Sequence, residues 1–355
     1  MQLTYLPLQG LRERYTEFLS VPDGWAERAF RAKFEKLVSL RPAGHDPLVN
    51  IVTGKVLDRV NRPIWAMQQI IDLLKLGGDP GKVYFDDFFH PGIESLAYSG
   101  LRFQAYSFCW AQTFDVFDFT NGMISWMRPY EIMGFAIKRK VFVACDELKE
   151  YIRVCSPEWG GMVDVVGLPF NSDDVAKKRD PAYECDKYDL VYSSRFDREK
   201  NPSFFLDLVA NTGVKAAICT GQKELNGDDA QAVARAKEMS ERGQLDIHQG
   251  LTKGQYYSVL DRSHVQFNCS LQDWISYTLL EALTYGCVPL YPNFRAMPNA
   301  LEHSEENLYR PFDLSSASAK LKALLMRGRK FPLADPILQR HDAALKYIAQ
   351  TIYTD

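Results

Sequence analysis

The sequence predicts an α/β chain of two doubly wound, Rossmann-like domains facing each other across a cleft. Three observations carry this expectation. Short β-rich runs alternate with amphipathic helical stretches in two successive series, a polar charge-rich break divides the series, and the 355 residues exceed what one hydrophobic core usually organises. Strands alternating with helices imply parallel sheets with crossover helices.

The first series reads as strands at "LTYLPL" (3–8), "VNIVTG" (49–54), "KVYFDD" (82–87), "QAYSFCWA" (104–111), "KVFVACD" (140–146) and "MVDVVGLPF" (162–170), with a helical stretch such as "RPIWAMQQIIDLLKLG" (62–77) between them. The break "NSDDVAKKRDPAYECDKYD" follows. The second series reads as "DLVYSSRF" (189–196), "VKAAICTG" (214–221), "LDIHQGL" (245–251), "VQFNCS" (265–270) and "CVPLYP" (287–292). The expected domains are therefore 1–170, a linker at 171–187, and 188–335, with a C-terminal helix at 336–355 that crosses back to the first domain.

Composition excludes several classes. Apolar residues make up 46% and charged residues 25%, the balance of a folded globular chain. The formal net charge of −3 advertises no nucleic acid globally, so any such binding needs a local patch. The seven Cys form no CxxC pair, which reads as buried thiols in a reducing compartment, without disulfides or a metal site. No apolar run approaches the ~18 residues of a membrane span, and a cytoplasmic location is expected. "PLQGLRERYT" (7–16) has a single Gly, so the dinucleotide fingerprint is missing, as are Walker A, HExxH and GxSxG motifs.

Chemistry concentrates in the second half. In "SSRFDREKNP" (193–202), Ser193 and Ser194 offer hydroxyl and backbone donors, while Arg195 and Lys200 place two cations five positions apart where a helix opens. A turn after a parallel strand points into the crevice, and a helix N-terminus favours an anion, so the parts suit a diphosphate. Taken alone, Arg198-Glu199-Lys200 reads better as a solvated helix start. In "DWISYTLLEALTYGCVP" (273–289), Glu281 interrupts an apolar helical run, where a carboxylate needs hydrogen-bond donors such as a ribose diol; a capping or salt-bridged acid fits as well. Asp273 and Ser276 lie on the loop before it, near a sugar's hydroxyls.

The second half resembles the C-terminal domain of retaining GT-B glycosyltransferases of the GT4-type group, over roughly residues 188–312. The group's pattern is GR(x)4K, then E(x)7E, then a Gly–Pro tail entering a strand. Arg195 and Lys200 match the cationic pair, with Ser194 in place of Gly. Glu281 matches the second Glu, Asp273 stands for the first, and Trp274-Ile275-Ser276 replaces Gly-Phe-Gly. The resemblance implies that Arg195 and Lys200 hold the diphosphate, that Glu281 holds the ribose, and that Asp273 lies near the transferred sugar. "HQGLTKGQYYSVL" (248–260) stands at the nucleobase loop, so Gly250 and Leu251 become base contacts. It also implies a UDP- or GDP-sugar donor, UDP favoured, and no obligate cofactor or metal.

In the first half, "LRERYTEFL" (11–19), "GKVLDRVNRPIWAMQQI" (54–70), "FDDFFHPGIESLAY" (85–98) and "WAQTFDVFDFT" (110–120) resemble a set of glycosyltransferases encoded in bacteriophage genomes. That resemblance implies sugar transfer to a hydroxymethylated or hydroxylated pyrimidine of viral DNA. On their own chemistry, His90 and Asp87 sit on a loop at a strand end, where they would meet the donor sugar or the acceptor hydroxyl. His90 reads equally as a packed histidine. Gln112, Asp115 and Asp118 stand among aromatics, which suits a sugar or base acceptor and suits a capped aromatic core almost as well. Arg14 follows the first strand, in an acceptor or phosphate role. For DNA, the available cations are Lys138-Arg139-Lys140, Lys177-Lys178-Arg179, Arg59 and Arg62. Competing readings are transfer to a glycan, lipid or protein, a nucleotide-sugar epimerase, and a non-catalytic binding protein.

Overall fold

A computed structural model describes residues 1–9, 16–42 and 55–355; for 55–62 and Phe119 it describes the backbone alone. The chain divides into two units, Met1–Phe170 with His341–Asp355, and Asn171–Arg340.

The first unit is built on a parallel sheet of β1 (Gln2–Leu6), β2 (Lys36–Ser39), β3 (Gly81–Phe85), β4 (Phe103–Phe108), β5 (Lys138–Val143) and β6 (Val163–Val165), ordered β2-β1-β3-β4-β5-β6. Val83, Phe85 and Ala105 from the strands pack against Ile70 and Leu73 of the Lys55–Lys75 helix. Most central-strand residues are buried, as expected where helices cover both faces of a parallel sheet. β2, "KLVS", was not expected. It is an edge strand of four residues that opens on an exposed lysine, so it lacks the apolar run by which the central strands are read. The run expected as a strand at 49–54 lies outside the described residues.

The second unit repeats the design with β7 (Tyr188–Tyr192), β8 (Ala216–Cys219), β9 (Leu245–His248), β10 (Ser263–Phe267), β11 (Val288–Pro292) and β12 (Leu308–Tyr309), ordered β12-β11-β10-β7-β8-β9 and all parallel. Its core joins Leu190, Tyr192, Val265, Phe267 and Leu290 to Phe205 and Leu208 of the Pro202–Thr212 helix. Pro202 opens that helix, and Gly213, at φ +66°, closes it.

Residues 171–187, expected to link the domains, are folded onto the second unit. Tyr285 donates to the Val175 carbonyl at 2.5 Å, Asp180 N to Gly254 O at 3.0 Å, and Tyr183 Oη lies 2.9 Å from His248 Nδ1. The chain end belongs to the first unit. Lys82 Nζ donates to Ile352 O at 2.5 Å, Phe34 meets the Tyr353 ring edge-on, and Leu168 N donates to His341 Nδ1 at 2.7 Å. No helix among the described residues is long and apolar enough to cross a membrane.

Candidate functional site

In the second sheet the chain leaves β7 toward β8 and β9, then returns to β10 on the other side of β7. The loops after β7 and β10 therefore diverge at the topological switch point, where open α/β sheets bind ligands. The first of these loops carries Ser193, Ser194 and Arg195, then a turn at Arg198–Lys200. The second carries Ser270, Gln272 and Asp273, and leads into the Tyr277–Thr284 helix. Leu271 N donates to Glu199 O at 2.8 Å and ties the two loops together.

Lys200 is 7% exposed, and its ammonium donates to Asp273 Oδ1 at 2.6 Å, Gln272 Oε1 at 2.9 Å and Ser270 Oγ at 3.4 Å. Burial works to raise the Asp273 carboxyl, but the Lys200 charge beside it outweighs burial and holds it below its ordinary value. Arg195 has its own partners. Its half-exposed guanidinium pairs with Asp197 at 2.6 Å and Glu199 at 2.5 Å, carboxylates of its own loop. Two cations thus stand among three carboxylates, and a diphosphate has to draw Arg195 away from its partners.

Glu281 is 2% exposed on the Tyr277–Thr284 helix. Its Oε1 accepts from Lys253 Nζ at 2.5 Å and from Tyr257 Oη at 3.1 Å. Its Oε2 is buried with no hydrogen-bond partner among the described residues. A carboxyl oxygen left this way is costly in a core and well suited to an incoming donor pair. Ser276, expected at the donor, caps this helix: its hydroxyl accepts from Thr278 N at 3.2 Å.

Lys253 and Tyr257 were not singled out from sequence. They lie one turn apart on the Lys253–Asp261 helix, whose start is set by a capping box of Thr252 and Gln255. That "TKGQ" signature was legible; the partner 28 positions away was not. Gly250, at φ +64°, turns the chain into this helix, with its N–H donating to Gln222 O at 2.6 Å. Leu251 is buried and donates to Thr220 O at 3.2 Å. Tyr256 Oη donates to Ser193 Oγ at 3.0 Å, so this helix also touches the loop after β7. Ser194, half-buried, lies in that loop.

The first sheet has its own switch point, between β1 and β3. A cavity of about 210 Å³ opens there, lined by Gln9, Trp65, Asp87, Phe89 and His90 among others. Gln9 Oε1 is buried with no hydrogen-bond partner among the described residues. Asp87 accepts from Phe89 N at 3.1 Å. His90 Nε2 lies 3.0 Å from Gln69 Oε1. Gln69 spends its amide protons on Pro7 O and Leu40 O, so the imidazole is the donor of that bond. Burial, and then the Lys138 charge, lower the His90 pKa to about 3. Burial thus favours the neutral ring in the cavity wall, while Nδ1, 3.1 Å from Pro91 O, acts in the opposite sense.

In the loop after β4 the acids cap local backbone, the second of the two expected readings. Gln112 is fully buried and donates to Ala111 O at 3.1 Å. Asp115 is buried and accepts from Phe117 N at 3.1 Å. Asp118 caps the Phe119–Met123 turn, accepting from Thr120 N at 2.8 Å and Thr120 Oγ1 at 2.7 Å. These carboxylates hold their own backbone. Asp118→Ala is expected to cost about 1 kcal/mol in denaturant unfolding with turnover unchanged.

The basic runs offered for DNA are also largely occupied. Arg139 pairs with Asp355, Lys140 with Asp164, and Arg179 with Asp261. Lys138 is buried, donating to Phe88 O and Gly134 O, and burial lowers its pKa to about 7. The unfolded chain therefore binds more protons between pH 7 and 10.5, so this residue makes stability rise with pH over that interval. Lys138→Met is expected to flatten that rise in urea midpoints measured across it. Arg14 lies outside the described residues, as do the side chains of Arg59 and Arg62.

No family model and no curated protein sequence matches the chain. Solved structures do. The sucrose-phosphate synthase of Thermosynechococcus elongatus superposes at TM-score 0.67 and 13% identity, over 100% of this chain and 96% of that one. A trehalose-6-phosphate synthase, OtsA, superposes at 0.66 and 12%, over 100% and 98%. The lipopolysaccharide outer core galactosyltransferase WaaB superposes at 0.63 and 13%, over 100% and 99%. These likenesses show the fold, which is GT-B: two doubly wound Rossmann-like domains.

Proposed function

We propose that the protein is a glycosyltransferase that moves a sugar from a nucleoside diphosphate sugar, UDP favoured, to a hydroxyl acceptor with retention at the anomeric carbon. The observation that carries this reading is the buried Oε2 of Glu281, which has no partner among the described residues, at the switch point that also holds Lys200. A ribose diol supplies the donors that this oxygen lacks, and the loop at Gly250 and Leu251 receives the base. A structure of comparable fold, the E. coli trehalose-6-phosphate structure bound with UDP-2-fluoro glucose (TM-score 0.62, 11% identity, over 99% of this chain and 96% of that one), supports a UDP-sugar donor.

In this mechanism Lys200 and Arg195 neutralise the diphosphate as the bond to the anomeric carbon breaks. Stabilising that departing charge supplies much of the acceleration. Asp273 is held on the Lys200 ammonium, which makes it a positioning group and leaves no free protein nucleophile in its place. The acceptor oxygen then attacks from the face the diphosphate leaves, and its proton passes to a diphosphate oxygen. The cavity beside β1 and β3 suits the acceptor: Trp65 and Phe89 offer ring faces, while Gln9 Oε1 and Asp87 accept hydroxyl protons. The resemblance of the first half makes the hydroxymethyl group of a pyrimidine in DNA the acceptor of choice, presented as an exposed or flipped base.

The test is nucleotide release from UDP- and GDP-sugars with unmodified DNA, hydroxymethylated DNA, oligosaccharides or no acceptor. Release that requires one sugar and hydroxymethylated DNA is the expected result. Release requiring an oligosaccharide keeps the transferase and overturns the DNA acceptor. Sugar interconversion without acceptor, or no turnover with UDP bound, overturns transfer itself in favour of an epimerase or a binding protein.

A further inference from the structure

The second sheet has another concave site, on the edge opposite the switch point. Because all its strands are parallel, the starts of β7 and β10 share one edge while Lys200, Asp273 and Glu281 follow the strand ends on the other. Ser263 pairs in register with Tyr188, which sets Lys187 and Arg262, the residues just before the two strands, side by side. They line a cavity of about 480 Å³ together with Arg179, Arg329, His264 and Asp261, among others.

The charges there are unevenly spent. Asp261 is taken by Arg179. Asp189, also in the wall, accepts from the backbone N–H of Lys215 at 3.0 Å and keeps its charge, so four cations stand against two carboxylates in the wall. The Arg329 guanidinium donates to the carbonyls of Tyr285 at 2.7 Å and Leu260 at 3.3 Å, so it is fixed in place with its charge uncancelled by a carboxylate. The side chains of Lys187 and Arg262 make no hydrogen bond or ion pair among the described residues, and both are exposed. His264 Nε2 is buried in the same wall with no partner among the described residues.

Two cations with no partner among the described residues and a third held rigid by carbonyls line a space large enough for a sugar- or nucleotide-sized molecule, with the His264 ring in the wall behind them. We infer that this cavity is a second ligand site, built for a small molecule carrying phosphate. Phosphate oxygens accept from Lys187, Arg262 and Arg329 at once, and guanidinium groups match their geometry. A pocket this concave favours a small phosphate compound over a DNA backbone, which is met by a longer stripe of cations. The site is separate from the nucleotide-sugar reading, since it uses none of that reading's residues.

Calorimetric titration of inorganic pyrophosphate into the full chain saturated with UDP tests the inference. Binding is expected, weakened at least tenfold in the double variant Lys187→Ala/Arg262→Ala, with UDP affinity unchanged. His264→Asn should weaken it by a smaller factor. Both cations are exposed, so the double variant should unfold at the wild-type temperature. Absence of pyrophosphate binding, equal binding by the double variant, or competition between pyrophosphate and UDP overturns the second site. Binding of duplex DNA without pyrophosphate also overturns it. If UDP fails to bind, the nucleotide reading fails, while comparison of wild type with the double variant still decides this one.

Discussion

Lys200→Ala is expected to lower turnover by about two to three orders of magnitude, the loss typical when one preorganised donor to a developing oxyanion is removed. It is also expected to destabilise the fold. The buried ammonium sits against the partly buried Asp273, and deleting it leaves that carboxylate without its counter-charge, at a cost of about 1–3 kcal/mol. The pH dependence carries the sign of this effect. In the wild type the Asp273 pKa is lowered, so the pair's contribution is present above the ordinary Asp pKa and is lost as pH falls through the lowered value. Without Lys200 burial is opposed only by the hydrogen bonds to Asn268 and Ser270, so the stability gap between variant and wild type should narrow as pH drops from 7 toward 4. Lys200→Ala combined with Asp273→Asn removes both charges and should recover most of the stability while leaving turnover low. Stability and kcat measured on the three proteins separate the two roles. Recovery of activity in the double variant would show that Lys200 served only to neutralise Asp273.

Both sheets were legible because parallel strands covered on two faces read as continuous apolar runs, as in "VKAAIC" and "VPLYP". β2 and the two-residue β12 were missed at the sheet edges, where such runs shorten. Glu281 was legible for the same reason that it is unusual: a carboxylate inside "TLLEAL" has to be satisfied by something. Its actual protein partners, Lys253 and Tyr257, come from another helix, and only the fold brings them near. Arg195 likewise has partners that motif spacing does not announce. "RFDREK" carries Asp197 and Glu199 two and four positions on, and both carboxylates pair with it. The acids at 115 and 118 stand two residues before the N–H groups from which they accept, the local turn habit of Asp that the capping reading anticipates. His90 illustrates the last limit. Its place in a cavity wall follows from the loop, but its neutrality follows from burial and from Lys138, which approaches from β5.

Glu281→Gln is expected to raise the KM for the donor about ten- to a hundredfold, the loss of one or two charge-assisted hydrogen bonds of about 1.5–3 kcal/mol. The amide keeps the side chain's shape and can still accept from Tyr257 through one oxygen. Its nitrogen cannot accept from a ribose hydroxyl. Because the ribose stays bound from ground state to transition state, kcat should change far less than KM. A stronger discriminator is the ligand itself. Wild type should prefer UDP to 2′-deoxy-UDP, since the deoxy compound leaves Glu281 Oε2 half satisfied, and the variant should bind the two alike. Lys253→Met should have a weaker effect in the same direction, because Lys253 fixes the Oε1 side of the carboxylate and touches no substrate. Calorimetry with both nucleotides on the three proteins reads all of this without an acceptor. If Glu281→Gln loses stability but keeps the wild-type preference for UDP, then the carboxylate exists to neutralise Lys253 and the ribose is held elsewhere. Loss of the preference with the fold intact assigns the buried oxygen to the nucleotide.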